Sequence, residues 1–137
     1  MNSTLPFSPA AAIDAALVKI DMNLVPFARL CPDDTSKNNI YYPRKRPGLY
    51  PDGANTGWTT GFWPGMQWLA YEWTGDEKYR QAAEVQMESF ADRMARQIDV
   101  DHHDLGFLYS LTAVAAYRLT GSASARELGL ETARTLM

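Results

Sequence analysis

Two stretches of ten residues decide the fold of this chain: YEWTGDEKYR, from Tyr71 to Arg80, and YRLTGSASAR, from Tyr117 to Arg126. They carry Tyr, Thr, Gly and Arg at identical offsets and lie 46 residues apart. Each is typical of a helix that ends at a left-handed glycine and is followed by a polar N-cap and the next helix. The repeat predicts successive helical hairpins, each of about 46 residues, as in a helical solenoid or ring.

Helical periodicity of apolar residues extends over most of the chain. It predicts a first helix over Pro9–Leu30, with a proline in its first turn, and a second over Gly61–Trp73. Further helices are expected from near Asp76, after Asp104 and after Ser122, and no segment resembles a strand. The sequence therefore predicts an all-α protein of about five helices. A closed ring of six such hairpins would need about 276 residues, so we expect a short open solenoid or the N-terminal part of something larger.

Length, charge and cysteine content narrow the class of protein. The chain has 137 residues, enough for one domain, and a net charge of -3, which gives no reason to expect nucleic acid or a membrane as a partner. The single cysteine, Cys31, cannot form an internal disulfide and fits a reducing compartment. The first residues show no signal peptide. We therefore expect a cytoplasmic location.

A long loop over residues 31–57 separates the first two helices. Four prolines and three glycines lie there and interrupt the helical pattern, and loops of this length are often functional. The basic run at Arg44–Arg46 could attract acidic sugars, but short charge runs are usually solvated, and that interpretation is preferred.

The stretch DVDHHDLGF, from Asp99 to Phe107, allows three interpretations. Asp104 directly precedes a helix, so its carboxylate is expected to cap the helix N-terminus. A metal site is disfavoured, because adjacent histidines point in different directions and lack the spacing of zinc ligands. Acid catalysis needs a second carboxylate across a cleft, and residue types alone do not identify it.

Two blocks together carry a resemblance to a known family. WTTGFWPGMQWLAYEWTGDEKYR, from Trp58 to Arg80, is followed by DHHDLGFLYS, from Asp101 to Ser110. This combination resembles glycoside hydrolase family 88, the unsaturated glucuronyl hydrolases, and the similar region extends from about Trp58 to Met137.

The resemblance implies an (α/α)6 barrel of which residues 1–137 form the N-terminal part. It implies hydrolysis of oligosaccharides whose non-reducing end is an unsaturated glucuronate, by hydration of the vinyl ether and without cofactor or metal. In this family a carboxylic acid protonates C4, water adds at C5, and the hemiketal opens to release the neighbouring sugar. Asp104 matches one of two essential aspartates, His103 matches its neighbour beside the substrate, and Trp58 matches the aromatic residue of the sugar subsite.

The second family aspartate, the principal proton donor and acceptor, lies further downstream than this chain reaches. We therefore expect an N-terminal portion with little activity alone, whose partner is an unsaturated uronic-acid oligosaccharide. Two alternatives stay open: a non-catalytic helical-repeat module that binds a partner or a carbohydrate, and an unsaturated galacturonyl hydrolase that acts on pectin fragments. Trp63 and Trp68 lie within a helix, and the pattern favours the core for both.

Overall fold

The structure, a computed structural model, describes residues 8–137. Residues 1–7, the beginning of the stretch without a recognisable signal peptide, lie outside the described range. The regular elements are α1 (Pro9–Leu24), α2 (Phe62–Thr74), α3 (Glu77–Ala95), α4 (Leu105–Tyr109), a π-helical turn (Ser110–Val114), α5 (Ala115–Thr120) and α6 (Ala123–Leu136). Since α4, the π-helical turn and α5 follow one another without a break, residues 8–137 form five helices. The predicted all-α class is confirmed, and residues 8–137 contain isolated bridges but no strand.

The two repeated junctions have the same structure. Gly75 and Gly121 are both left-handed, with φ of 70° and 72°. Each donates its amide to the carbonyl of the tyrosine four residues earlier, at 2.8 Å. The threonine directly before each glycine donates its hydroxyl to the carbonyl four residues back and accepts the amide of the residue after the glycine. The sequence repeat is thus a repeat of hydrogen bonds, which turns the chain from α2 into α3 and from α5 into α6.

The first helix is shorter than the sequence predicts. It ends at Leu24 rather than Leu30. Pro26 explains the difference through its missing amide, which leaves no donor for the helical hydrogen bond at this position, although Val25 before it keeps a helical backbone. Phe27 is nevertheless buried, in the turn that follows the helix.

Three groups of buried side chains hold the helices together. One joins α1 to α2 and the start of α3, and comprises Ile20, Phe27, Trp63, Ala70 and Tyr79. A second joins α3 to α4 and α6, and includes Phe90, Met94, Val100, Leu105, Leu108, Tyr109, Ala113 and Leu128. A third joins the two hairpins, and comprises Trp68, Ala83, Ala116 and Ala125. Both tryptophans that were predicted to belong to the core, Trp63 and Trp68, lie in these groups.

Helix α2 and the α4 segment approach each other with almost no side chain between them. A Cβ atom at Gly61 would lie 2.8 Å from the carbonyl oxygen of Leu108, and one at Gly65 would lie 3.2 Å from the Cβ of Leu111. Such contacts are too short for alanine without movement of the partner. The two glycines therefore bring the N-terminus of α2 directly against α4.

The backbone of the long loop forms hydrogen bonds within the loop itself. The amide of Cys31 donates to Gly53, that of Gly53 donates to Arg44, and that of Arg44 donates to Cys31, at 2.7–2.9 Å. Residues 31–57 thus form a segment that its own backbone hydrogen bonds hold together. Among residues 8–137, no helix is both long and apolar enough to cross a membrane.

Candidate functional site

Asp104 occupies the N-cap position of α4 but does not cap the helix. Ser8, Asp76 and Ser122 cap α1, α3 and α6 with extended ψ angles of 107–117°, and each side chain accepts a backbone amide. At Asp104 ψ is 0°, and the side chain accepts no backbone hydrogen bond. The predicted cap is therefore wrong, because this backbone does not turn the carboxylate back over the helix end. The carboxylate remains available to a ligand.

The two adjacent histidines lie in different environments. The imidazole of His103 is 93% exposed, and its Nε2 lies 3.3 Å from Oδ1 of Asp104. The imidazole of His102 is largely buried, with its Nδ1 3.9 Å from Oδ2 of Asp104. His103 and Asp104 thus form an accessible pair, whereas His102 supports the loop from inside. In the described residues no group of three or more His, Cys, Asp or Glu side chains is arranged to hold a metal ion.

Trp58 lies at the end of the long loop, four residues before α2. Its side chain is 49% exposed although it is a large apolar group. Phe62, also partly exposed, meets it edge to face with ring centroids 6.3 Å apart. One face of the indole can therefore stack on the apolar C–H surface of a sugar, a common use of exposed aromatic rings. The contact between Gly61 and Leu108 places this end of the loop beside the start of α4.

The interior of the site contains a buried arginine that the sequence analysis did not single out. Arg93, on α3, is 1% exposed and bonds to carbonyl groups of both loops that flank the site, at Gly57 and Asp99. Burial lowers the pKa of Arg93, while Tyr109 and the Asp99 carboxylate raise it. A signal existed in the sequence, since Arg93 follows Phe90 by three residues on the apolar stripe of α3.

A second buried arginine corrects the interpretation of the basic run as solvated. Arg44 is 1% exposed and donates to Asp34 at 2.6 Å and to Thr59 at 2.8 Å. Its neighbours Lys45 and Arg46 are more exposed, and Arg46 also bonds to Asp34. Burial alone would raise the pKa of Asp34, but the hydrogen bonds from Thr59 and the two arginines lower it. A charge run is solvated only where the backbone directs every side chain outward, and here one of three turns into the loop.

These features define a class of protein: a helical-hairpin protein with an exposed aromatic residue before α2 and, before the adjacent α4, a carboxylate that does not cap its helix. The comparison with known sequences then identifies the family. Residues 35–137 match Glycosyl Hydrolase Family 88, so the chain belongs to this family.

Curated relatives and solved structures agree with this assignment. The unsaturated chondroitin disaccharide hydrolase of Streptococcus pneumoniae is 36% identical over 126 residues, which are 92% of this chain and 30% of that protein. The unsaturated glucuronyl hydrolase of a Bacillus species is 52% identical over 83 residues, 61% of this chain and 22% of that protein. The crystal structure of unsaturated glucuronyl hydrolase from Streptococcus agalactiae matches with a TM-score of 0.82 and 38% identity, covering 93% of this chain and 30% of that one.

The chain thus spans about 30% of the length of these relatives. Its helices correspond to part of the (α/α)6 barrel of this family, as the sequence predicted. A mutant of the Streptococcus agalactiae enzyme has been solved in complex with dGlcA-GalNAc6S, a disaccharide with an unsaturated glucuronyl residue.

Proposed function

We propose that this protein takes part in removing unsaturated glucuronic acid from the non-reducing end of oligosaccharides that polysaccharide lyases produce. Asp104 carries the proposal. Its carboxylate makes no helix-capping hydrogen bond and lies 3.3 Å from the exposed imidazole of His103. Family membership and the sugar complex of a relative support the same substrate class.

Each site residue has a role that its environment suits. Trp58 offers its exposed face to the flattened ring of the unsaturated sugar. Asp104 supplies one carboxylate for proton transfer or for orientation of a substrate hydroxyl, and His103 donates to or accepts from the same group. In the reaction that the family implies, a proton goes to C4 and the hydroxyl of water to C5, and the resulting hemiketal opens to release the next sugar.

We further propose that the described chain supplies only part of this site. It spans about 30% of the length of its relatives, and the second aspartate implied by the resemblance would come from the sequence beyond it. Little turnover is therefore expected from the 137 residues alone.

The test is an assay of the longest form that the gene encodes, together with the 137-residue chain, on unsaturated chondroitin disaccharide. Loss of ultraviolet absorbance from the conjugated double bond reports turnover. Asp104→Asn should lower kcat/KM by about 100-fold or more, in the range that general acid–base groups contribute. Asp101→Asn is the matched control, because Asp101 is exposed and makes no ion pair with a described residue. It should change kcat/KM by less than about twofold, as surface substitutions usually do.

Two results would contradict the proposal. One is wild-type turnover by Asp104→Asn. The other is binding of the disaccharide without any turnover by the longest form, which would favour a carbohydrate-binding module. Unsaturated pectin and hyaluronan disaccharides, assayed in parallel, separate the glucuronyl substrate from the galacturonyl alternative.

A further inference from the structure

Arg93 contacts the two loops of the candidate site at the same time. It lies near the end of α3 with its side chain 1% exposed, so it cannot contact a ligand bound at the protein surface. A buried guanidinium is costly unless its donors are satisfied. The partners that satisfy it here come from segments 55–60 and 98–102, which precede α2 and α4 respectively.

On the side of Trp58, Arg93 bonds to three groups. It donates to the carbonyl of Gly57 at 3.0 Å, to Oδ1 of Asn55 at 3.0 Å and to the hydroxyl of Thr60 at 3.3 Å. These residues flank Trp58 on both sides. The backbone on either side of the indole is therefore held from inside the protein.

On the side of Asp104, Arg93 bonds to the carbonyl of Asp99 at 2.6 Å and to that of Ile98 at 3.1 Å. The same nitrogen that bonds to Asp99 lies 3.2 Å from Nε2 of His102. The Asp99 carboxylate joins the two loops a second time, since it accepts the amide of Gly57 at 2.5 Å.

The conformation of Asp99 needs this support. Its φ is 48°, in the left-handed region that a residue other than glycine adopts only at a cost of about 1 kcal/mol or more. A guanidinium has five N–H donors in a rigid planar fork, and five accepting groups surround this one. Lysine has one nitrogen and could not serve both loops.

We infer that Arg93 is the positioning residue of this site: one buried guanidinium sets the loop of Trp58 in register with the loop of His103 and Asp104. The inference rests on the proposed function for its catalytic consequence, but the coupling between the loops does not depend on activity. It adds to the site a group that never touches substrate and yet fixes the separation of those that do.

The first test is hydrogen exchange on Arg93→Lys, in the longest form that the gene encodes. Segments 55–60 and 98–104 should lose protection together, by about tenfold or more, while the middle of α3 keeps its protection. Arg96→Lys is the control, because Arg96 is exposed on the same helix end and its one ion-pair partner among residues 8–137 is Asp92. Loss of protection in one segment alone, or no loss, would overturn the inference.

The second test is kinetic. A misplaced catalytic group can cost about 10- to 100-fold in rate, so Arg93→Lys should lower kcat and also raise KM for the unsaturated disaccharide. A variant that is only less folded would lower the apparent kcat and leave KM unchanged, which would count against positioning. If the wild-type protein shows no turnover, the proposed function fails, and the exchange experiment still decides the coupling.

If Arg93→Lys does not fold, Asn55→Ala replaces it. This change removes the side-chain oxygen of Asn55 that accepts from Arg93 and leaves segment 98–104 unaltered. Loss of protection in segment 98–104 as well as in segment 55–60 supports the inference, and unchanged protection of segment 98–104 overturns it.

Discussion

Asp34 links the long loop to the residues just before α2. Its carboxylate accepts hydrogen bonds from Arg44, Arg46 and Thr59. Although burial opposes ionisation, these donors lower the pKa of Asp34. The ionised form is therefore favoured more in the folded chain than in the unfolded chain.

The lowered pKa of Asp34 predicts how the stability of the folded chain changes with pH. A carboxyl with a lowered folded pKa contributes stability above its unfolded pKa of about 3.9, and that contribution is lost as the pH falls through the folded pKa. Asp34→Asn should thus be less stable than wild type at pH 7, and the gap should narrow as the pH falls below about 4. Urea unfolding across this range measures it. Asp52→Asn is the control, because the exposed Asp52 pairs, within the part of the chain that the structure describes, with Lys45 alone at 3.8 Å, and this variant should show no such convergence. A gap that stays constant down to about pH 2 would contradict the assignment.

A second prediction at the scale of single residues concerns Cys31. Burial raises the pKa of its thiol to about 12, despite the nearby arginines, so the thiol is protonated at neutral pH. Because the thiolate is the reactive form, a disulfide reagent should not modify the folded chain and should modify one thiol after unfolding. Ser36→Cys, at an exposed loop position, should add one rapidly reacting thiol under native conditions. Rapid modification of the wild-type chain would mean that the loop opens.

The residues that contact a ligand could be predicted better than those that hold them. Trp58, His103 and Asp104 stand in a motif, and their assignment as site residues remains a prediction. Arg93 and Arg44 lie in no motif, and charge alone argues for the surface. The place of Arg93 on the apolar stripe of α3 indicates burial, but the groups that bond to the two arginines come from other segments of the chain, which a local pattern does not show.

At the scale of the helices, the contact between α2 and α4 depends on the absence of a side chain. Gly61 has helical φ and ψ, so alanine there would be hindered by the backbone of Leu108, at 2.8 Å, and not by its own backbone conformation. Gly61→Ala should destabilise the protein by about 1–3 kcal/mol, as overpacking does. Gly106→Ala is the matched control, since nothing lies within 4 Å of its Cβ position. It should be neutral or stabilising by about 0.4–1 kcal/mol. Thermal unfolding distinguishes the two, and equal effects would show that the close approach is not maintained.

The repeated junctions predict equal costs at equivalent positions. Gly75 and Gly121 have left-handed backbones and open space around the Cβ position. Alanine at either should cost about 1–2 kcal/mol through backbone strain alone, and asparagine should cost less. Denaturant unfolding of the four single variants tests this. Unequal costs at the two sites would mean that the junctions differ in more than sequence.

Helix existence could be predicted from the sequence, whereas helix ends and internal irregularity were harder. The glycine junctions specify hydrogen bonds directly, so α2, α3 and α6 lie close to where periodicity placed them. The end of α1 depends on Pro26. The apolar pattern of Ile20, Leu24 and Phe27 continues past this proline, but the helix does not. The π-helical turn at Ser110–Val114 leaves no mark on that pattern.

At the scale of the whole molecule, an apolar groove lies open between α1, α2 and the long loop. It encloses about 690 Å³ and is lined by residues that include Leu17, Trp63, Met66, Leu69 and Trp73. Most of its exposed lining is apolar. Exposure of this apolar lining to water is unfavourable in free energy.

The groove should bind a hydrophobic dye such as ANS. Leu69→Glu places a charge on its wall and should reduce the fluorescence enhancement severalfold. Leu49→Glu changes an equally apolar, exposed residue outside the groove and should leave the enhancement unchanged. If both variants behave alike, the dye binds elsewhere or to partly unfolded chain.

The π-helical turn between α4 and α5 determines how far α4 is rotated about the helix axis relative to α5. Each residue of an α-helix advances the chain by about 100° around the axis, and a π turn accommodates one extra residue without breaking the helix. Deleting one residue from Ser110–Val114 would restore regular α-helix and turn Asp104 by about 100° away from its neighbours, while the circular dichroism stayed almost unchanged. Natural variation in this segment should therefore conserve length more strictly than identity. A one-residue deletion that left hydrogen exchange at residues 98–104 intact would refute that.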